Sequence, residues 1–382
     1  MRQTSLETIK YMWRNAKNRL FMVILTVLML IYVFLFAPDF NQQFDVDMKS
    51  LENELIGNIT QAQHAKEEGW LEPSIMTSTT TYHEQTQAYG RQRALYTTLK
   101  QGDIYRYLDN HFAGGEPQDE EIGVKSLFYG LFGIDPIYHK QQRYVNEVEN
   151  LNFHIVHEIT SLQQLHLFFL GAGPLILLTG LAFMISDVHT KDRNLPSQKL
   201  GIPLSWQKNL LSQSLAALGF VLVFYIAFFV LFYLVNGVLH GFGSFTLPIS
   251  TSLSTVGDFL LKSVPYILLL MFLFTRLNTL FSLWTKHPLI TMTLLIFVIF
   301  SANIYMDSYM LAYHPFNFGL LPISYIHFGQ IVSGGHFLRP IIEGLDVYMS
   351  GLIVLGVTIV ITELLVYLSS KKMTRQHFMA KG

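Results

Sequence analysis

Cysteine is absent from the 382 residues, so disulfides, thiolate metal sites and cysteine nucleophiles are excluded. Charge is scarce: 14% of residues are Asp, Glu, Lys or Arg, against about 25% in a soluble domain. No Gly-x-x-x-x-Gly-Lys-Ser/Thr string is present, so this chain does not itself cradle nucleotide phosphates. The Gly-x-Ser-x-Gly elbow of hydrolases is missing too, and no other catalytic constellation stands out. The chain therefore reads as a non-enzyme.

Apolar sequence is abundant. Hydrophobic residues make up 51% of the chain, with 30 Phe, and the mean hydropathy is +0.33. A helix needs about 20 apolar residues to cross a bilayer. Six stretches qualify: Leu20 to Ala37, His166 to Ile185, Leu210 to Val235, Phe259 to Trp284, Pro288 to Met306 and Gly351 to Ser370. The first is too long for the apolar core of a cleaved signal, and no small-residue cleavage site follows, so it reads as a permanent anchor.

The charges are segregated. From Asp39 to Gln163 there are 9 basic and 19 acidic residues, a balance of −10, whereas the remainder has 17 basic and 8 acidic residues, a balance of +9. Lys and Arg near span ends mark the cytoplasmic side. They cluster before the first span (Arg2, Lys10, Arg14, Lys17, Arg19), after the second (Lys191, Arg193, Lys199, Lys208), between the fourth and fifth (Lys286) and in the tail (Lys371, Lys372, Arg375, Lys381). Six spans put all four clusters on one face. The expectation is an all-α, multi-pass protein of the cell membrane with both termini cytoplasmic.

The division that follows is an interfacial amphipathic helix over 1–19, the first span over 20–37, an extracellular helical insert over 38–163, and five further spans over 164–382. The last part includes a cytoplasmic loop at 187–209 and an external region at 307–350. In the first segment Leu6, Ile9, Trp13 and Ala16 share a stripe, and Thr4 with Glu7 fits a capping box; the alternative is an ordinary basic juxtamembrane segment. In the insert, Met48, Leu51, Leu55 and Ile59 recur at helical spacing, and Asp135-Pro136 fits a helix start. His154 and His157 share a helix face, but their string does not fit the zinc-protease arrangements, and a structural role is favoured over a metal site. Gly171, Gly173 and Pro174 are expected to bend or thin the second span.

Two ionisable residues lie inside spans, where burying charge is expensive. Arg276 and Glu363 each stand about 8 residues, roughly 12 Å, from the cytoplasmic ends of their spans. Either the two pair or line a polar path, or Arg276 snorkels and Glu363 faces a wet seam.

The loop "DVHTKDRNLPSQKLGIPLSWQKNLL" (Asp187 to Leu211), the turn "LFSLWTKHPLITMTLL" and the segment "LLPISYIHFGQIVSGG" (Leu320 to Gly335) follow an amphipathic entry helix. Together they resemble the permease subunits of bacterial type-2 ABC exporters. The loop resembles that family's acidic residue, mixed polar helix and Leu-Pro-polar run, carried here by Asp187, Leu200, Pro203, Leu204 and Ser205. The Leu320–Gly335 segment is similar to the stretch that re-enters the outer leaflet. Asp187 replaces a more usual Glu, and Trp206 stands where a basic residue is common.

The resemblance implies a coupling helix over 194–208. It would press Leu195, Leu200, Pro203 and Trp206 against an ATPase, with Lys199 and Lys208 at the rim. It also implies a second permease copy or sister chain, contact with membrane lipid, no nucleic acid, and no cofactor in this chain, since the partner ATPase binds ATP and Mg. The expected function is export of an amphipathic substrate: a peptide, a drug or a lipid-linked envelope component. The alternative is a membrane-anchored sensor or envelope-assembly protein acting through its insert.

Overall fold

The computed structural model describes residues 2–36, 48–70, 81–101, 106, 144, 147–148, 151–156, 158–194, 205–249, 254–301, 303, 316–334, 338–342, 344–373 and 375–379. All regular elements among them are helical. In chain order they are α1 (Arg2–Arg14), α2 (Ala16–Ile31, running on as a π-turn through Phe36), α3 (Met48–Glu67), α4 (Thr81–Gln101), α5 (Ser161–Leu170), α6 (Gly173–Ile185), α7 (Trp206–His240), α8 (Val256–Thr285), α9 (Pro288–Ser301), α10 (Phe328–Ser333), α11 (Val347–Lys372) and α12 (Arg375–Met379).

The chain forms two compact units. One comprises 37–159 and 247–253 and contains α3 and α4, which pack on each other. Leu55, Ala62 and Ala65 are buried along one face of α3, as helical spacing requires. The helix start expected at Asp135 and the residue His157 lie outside the described residues; no group of metal-ligating side chains occurs among those described.

The other unit comprises 1–36, 160–246 and 254–382. Among its described residues, five segments are long and apolar enough to span a membrane: 16–34, 173–193, 206–240, 256–285 and 347–372. They mark a membrane-embedded protein. The described part of the fifth expected span, Pro288 to Met306, is helix α9. Helix α9 has 14 residues, about 21 Å at 1.5 Å per residue, and most of 302–315 lies outside the described residues.

The second expected span, His166 to Ile185, is broken. Helix α5 ends at Leu170, Gly171 and Ala172 form a turn, and α6 begins at Gly173 with Pro174 in its first turn. Proline needs no N–H partner there, and glycine permits the close turn; a Cβ on Gly173 would stand 2.2 Å from the Phe168 carbonyl oxygen. The chain then leaves α6 through a turn and a 3₁₀ helix over Thr190–Asn194.

Helix α1 starts at Arg2, so Thr4 lies inside it and not at a capping position. Thr4, Thr8 and Met12, four residues apart, are buried, and α1 lies along α7, where the Ser5 and Ser212 hydroxyls meet at 2.9 Å. The stripe Leu6, Ile9 and Trp13 stays exposed, Trp13 at 63%. Asn15 separates α1 from α2 and caps α2 by accepting from the Lys17 N–H at 3.1 Å.

The segment 316–333 folds onto α5, α8 and α11. Tyr325, Ile326 and Phe328 are buried, and the Tyr266 ring stacks against Tyr325 and Phe328 with centroids 6.3 and 6.0 Å away. The Tyr325 hydroxyl donates to the Gly319 carbonyl at 2.7 Å, and burial pushes its pKa up to about 12.

Candidate functional site

Four basic segments meet at one end of the helical bundle. The Tyr11 hydroxyl and Asn15 Nδ2 both donate to Asp187 Oδ2, at 3.1 and 2.6 Å, and Lys17 Nζ stands 3.3 Å from the same oxygen. Burial first, then the Asp187 charge, push the Tyr11 phenol above its ordinary range and keep it a donor. Arg193 Nη1 donates to the Lys286 carbonyl at 2.6 Å, and Lys286 Nζ donates to the His377 carbonyl at 3.2 Å. Trp206 lies against Phe378, centroids 5.5 Å apart, over a buried cluster of Leu210, Leu283 and Phe378.

From this end a file of hydrogen bonds runs into the bundle. Gln213 Nε2 donates to Asp192 Oδ2 at 2.7 Å, which leaves its Oε1 to accept from His189 Nδ1 at 3.0 Å. His189 Nε2 then accepts from the Thr279 hydroxyl at 3.0 Å. The Thr279 and Ser214 hydroxyls meet at 2.9 Å, and Ser214 accepts from Arg276 Nη1 at 2.9 Å. The tautomer and the amide orientation are assigned from this network, in which each donor finds an acceptor. Arg276 turns its other edge to Glu363: Nε donates to Oε1, and Nη2 donates to Oε2 at 2.8 Å.

The file joins the 3₁₀ helix after α6 to α7, α8 and α11 in one unbroken series of partners. Its members from Asp192 to Arg276 are buried, Arg276 at 3% exposure, whereas the Glu363 side chain is 36% exposed. The pair borders a cavity of about 160 Å³ that is also lined by Lys208, Leu211 and Tyr367. Satisfied polar networks in a low-dielectric interior are stiff, and a single missing partner leaves a neighbour unpaired at high cost. Such a file ties the 190–194 turn to Arg276 through a continuous series of hydrogen bonds.

No family model, curated protein or solved structure matches the chain.

The sequence-predicted residues divide four ways. Arg276 and Glu363 come together in a bidentate pair. Asp187 and Trp206 make contacts within the chain: Asp187 holds the α1–α2 junction, and Trp206 forms the first turn of α7 instead of belonging to a separate loop helix. Ser205 is exposed at the cap of α7 without a side-chain capping bond. Leu195, Leu200, Pro203 and Leu204 lie outside the described residues.

The connecting members Asp192, His189, Gln213, Ser214 and Thr279 were not singled out in the sequence. A signal was there: Thr275, Arg276, Asn278, Thr279 and Ser282 keep a helical polar stripe inside an otherwise apolar span.

The contacts of Asp187 give a direct prediction. Asp187→Ala removes the shared acceptor of three groups and leaves the Lys17 ammonium without its counter-charge. Amide hydrogen exchange across α1 is expected to rise about tenfold, corresponding to about 1.4 kcal/mol, while α8 stays protected. Unchanged exchange in α1 would show that its packing on α7 suffices to hold it.

Proposed function

We propose that this chain is the permease subunit of an ATP-driven exporter. In this reading it has six spans, with both termini and the 187–209 loop cytoplasmic, the 38–163 insert extracellular and the 307–350 region dipping into the outer leaflet. Two permease chains, identical or sister, would pass an amphipathic substrate, and a separate ATPase would hold ATP and Mg. The observation that carries the proposal is the buried file from Asp192 to the Arg276–Glu363 pair. It links the base of the loop to charged groups at mid-depth, which is what a subunit driven from its cytoplasmic face requires. The gathering of four basic segments at the same end supports the orientation.

The test is a pull-down of the tagged full-length chain in mild detergent beside a Leu200→Asp/Pro203→Asp variant. The substitutions spare Trp206 and Phe378 themselves, whose rings meet. An ATPase recovered with the wild type and lost with the variant is the expected result. Recovery of no ATPase by the wild type overturns the proposal.

A second reading has its own observation: the residues of the insert form a compact unit with paired helices. A sensor or envelope-assembly protein would use that unit and would bring down no ATPase.

A further inference from the structure

The basic end of the bundle holds another cavity, of about 340 Å³. Tyr11, Thr190, Lys191, Arg193, Lys286 and His287 line it, and Asp187 is its one acidic member. We infer that this cleft binds a phosphate-type oxyanion, carried either by the headgroup of an anionic lipid or by a small soluble phosphate ester.

The charge inventory carries the first part of the argument. Lys191, Arg193, Lys286 and an imidazole face one lining carboxylate, with Asp192 a second one near enough for its charge to act on Tyr11; Asp187 already takes donors from Tyr11 and Asn15 and ion-pairs with Lys17, and Asp192 accepts from Gln213. Lys286 uses its ammonium on the His377 carbonyl and has no carboxylate within pairing distance among the described residues. Gathering like charges at one cavity costs free energy, which an oxyanion between them relieves.

The second part is geometric. The lining groups come from three separate pieces of chain: α1, the 190–193 turn and the α8–α9 turn. Contacts on either side hold those pieces in place. Arg193 Nη1 binds the Lys286 carbonyl, and Lys191 Nζ reaches the Thr8 hydroxyl at 3.2 Å and lies 4.6 Å from the centre of the Tyr11 ring. Lys286 has a left-handed backbone, φ 55°, pinned by its N–H to the Ser282 carbonyl at 3.0 Å, and it ends α8 so that Lys286 and His287 both border the cleft. Ammonium, guanidinium, imidazole, phenol and hydroxyl donors around one volume suit the several acceptor oxygens of a phosphate.

Both sources have a route. Around α1, at 100° per residue, Tyr11 lies about 160° from Ile9, so α1 turns its lining residue away from the bare apolar stripe, the side from which a soluble ester would approach. On the other side Pro288 lines the cleft and begins α9, and the next two residues, Leu289 and Ile290, are exposed, so a lipid headgroup would approach along them.

The test uses the purified full-length chain in non-ionic detergent and counts retained adducts by native mass spectrometry. It is titrated separately with phosphatidylglycerol, phosphatidylcholine and glycerol 3-phosphate. Lys286→Asn/His287→Gln removes cleft charge, and asparagine tolerates the left-handed backbone. Lys371→Gln removes one ammonium from the end of α11, as Lys286→Asn does from the cleft, and is the control. Wild type is expected to hold one anionic equivalent, weakened about tenfold in the cleft variant and unaltered in the control, a loss in keeping with two charge-assisted contacts. Phosphatidylglycerol as the retained species assigns the site to lipid; glycerol 3-phosphate assigns it to a soluble ester. Equal weakening in both variants, equal retention of phosphatidylcholine, or no anionic adduct overturns the inference.

Discussion

Glu363→Leu is expected to be the most damaging single change in the interior of the bundle, costing about 3–5 kcal/mol, the usual cost of breaking a buried ion pair. It leaves the Arg276 guanidinium, 3% exposed, with only Ser214 as a partner. Arginine cannot shed its proton to escape. The reciprocal change, Arg276→Met, is expected to be milder, because the Glu363 side chain is 36% exposed beside the cavity and a carboxylate can take up a proton.

The double variant Arg276→Met/Glu363→Leu should recover most of the stability, since well-packed apolar residues replace a buried pair at little net cost. Thermal unfolding of the detergent-solubilised chain orders the three variants. Equal losses for both single changes and the double would show that the pair acts through packing alone. The double variant also separates stability from function. A chain that is folded and still binds the expected ATPase, yet no longer couples hydrolysis to substrate, would assign the charges to the transport path. Full activity would make them a structural tie between α8 and α11. The charge swap Arg276→Glu/Glu363→Arg is expected to restore pairing more fully than either single reversal.

How far the sequence could be read depended on whether the decisive contact was local. The spans were visible because apolar length is a property of one segment, and α7, α8 and α11 fall where hydropathy put them. The break at Gly171 was visible only as a bend, because the approach of Phe168 to Gly173 depends on chain geometry that composition does not encode. The Arg276–Glu363 pairing could be posed as one of two alternatives, since equal depth is computable from two spans counted separately. Its extension through Ser214, Thr279, His189 and Gln213 to Asp192 was not legible. Apart from Thr279, which belongs to the polar stripe of α8, each of those residues is unremarkable in its own segment and gains meaning only when four segments meet. Trp206 shows the converse. A tryptophan beside a prolines-and-lysines loop reads as an exposed contact, yet Phe378, 172 residues later, claims its ring.

Gly329→Ala is expected to lower stability by about 3 kcal/mol or more, the upper range for overpacking, although it adds a single methyl group. The Cβ would stand 2.0 Å from the Phe169 carbonyl oxygen and 2.7 Å from the Leu170 Cα. Both are backbone atoms at the end of α5, and neither can swing aside as a side-chain tip would. To admit the methyl, α10 must lift off α5. Phe328 then loses its place between the Phe169 ring, 6.0 Å away, and the Tyr266 ring. The stack through Tyr266 to Tyr325 is weakened with it.

Gly334→Ala is the matched control. Gly334 ends α10 with φ 80°, and nothing lies within 4 Å of an added Cβ, so its cost is the left-handed backbone alone, about 1–2 kcal/mol. Thermal unfolding of the two variants should therefore differ clearly, with Gly329→Ala the less stable. If the two lose stability equally, the close approach of α10 to α5 is not what holds the 316–333 segment. The tyrosine stack and the Gly319 carbonyl bond would then have to hold it unaided. A large gap would make Gly329 the point at which this segment is fastened to the spans, and any motion of the segment would have to begin by separating α10 from α5.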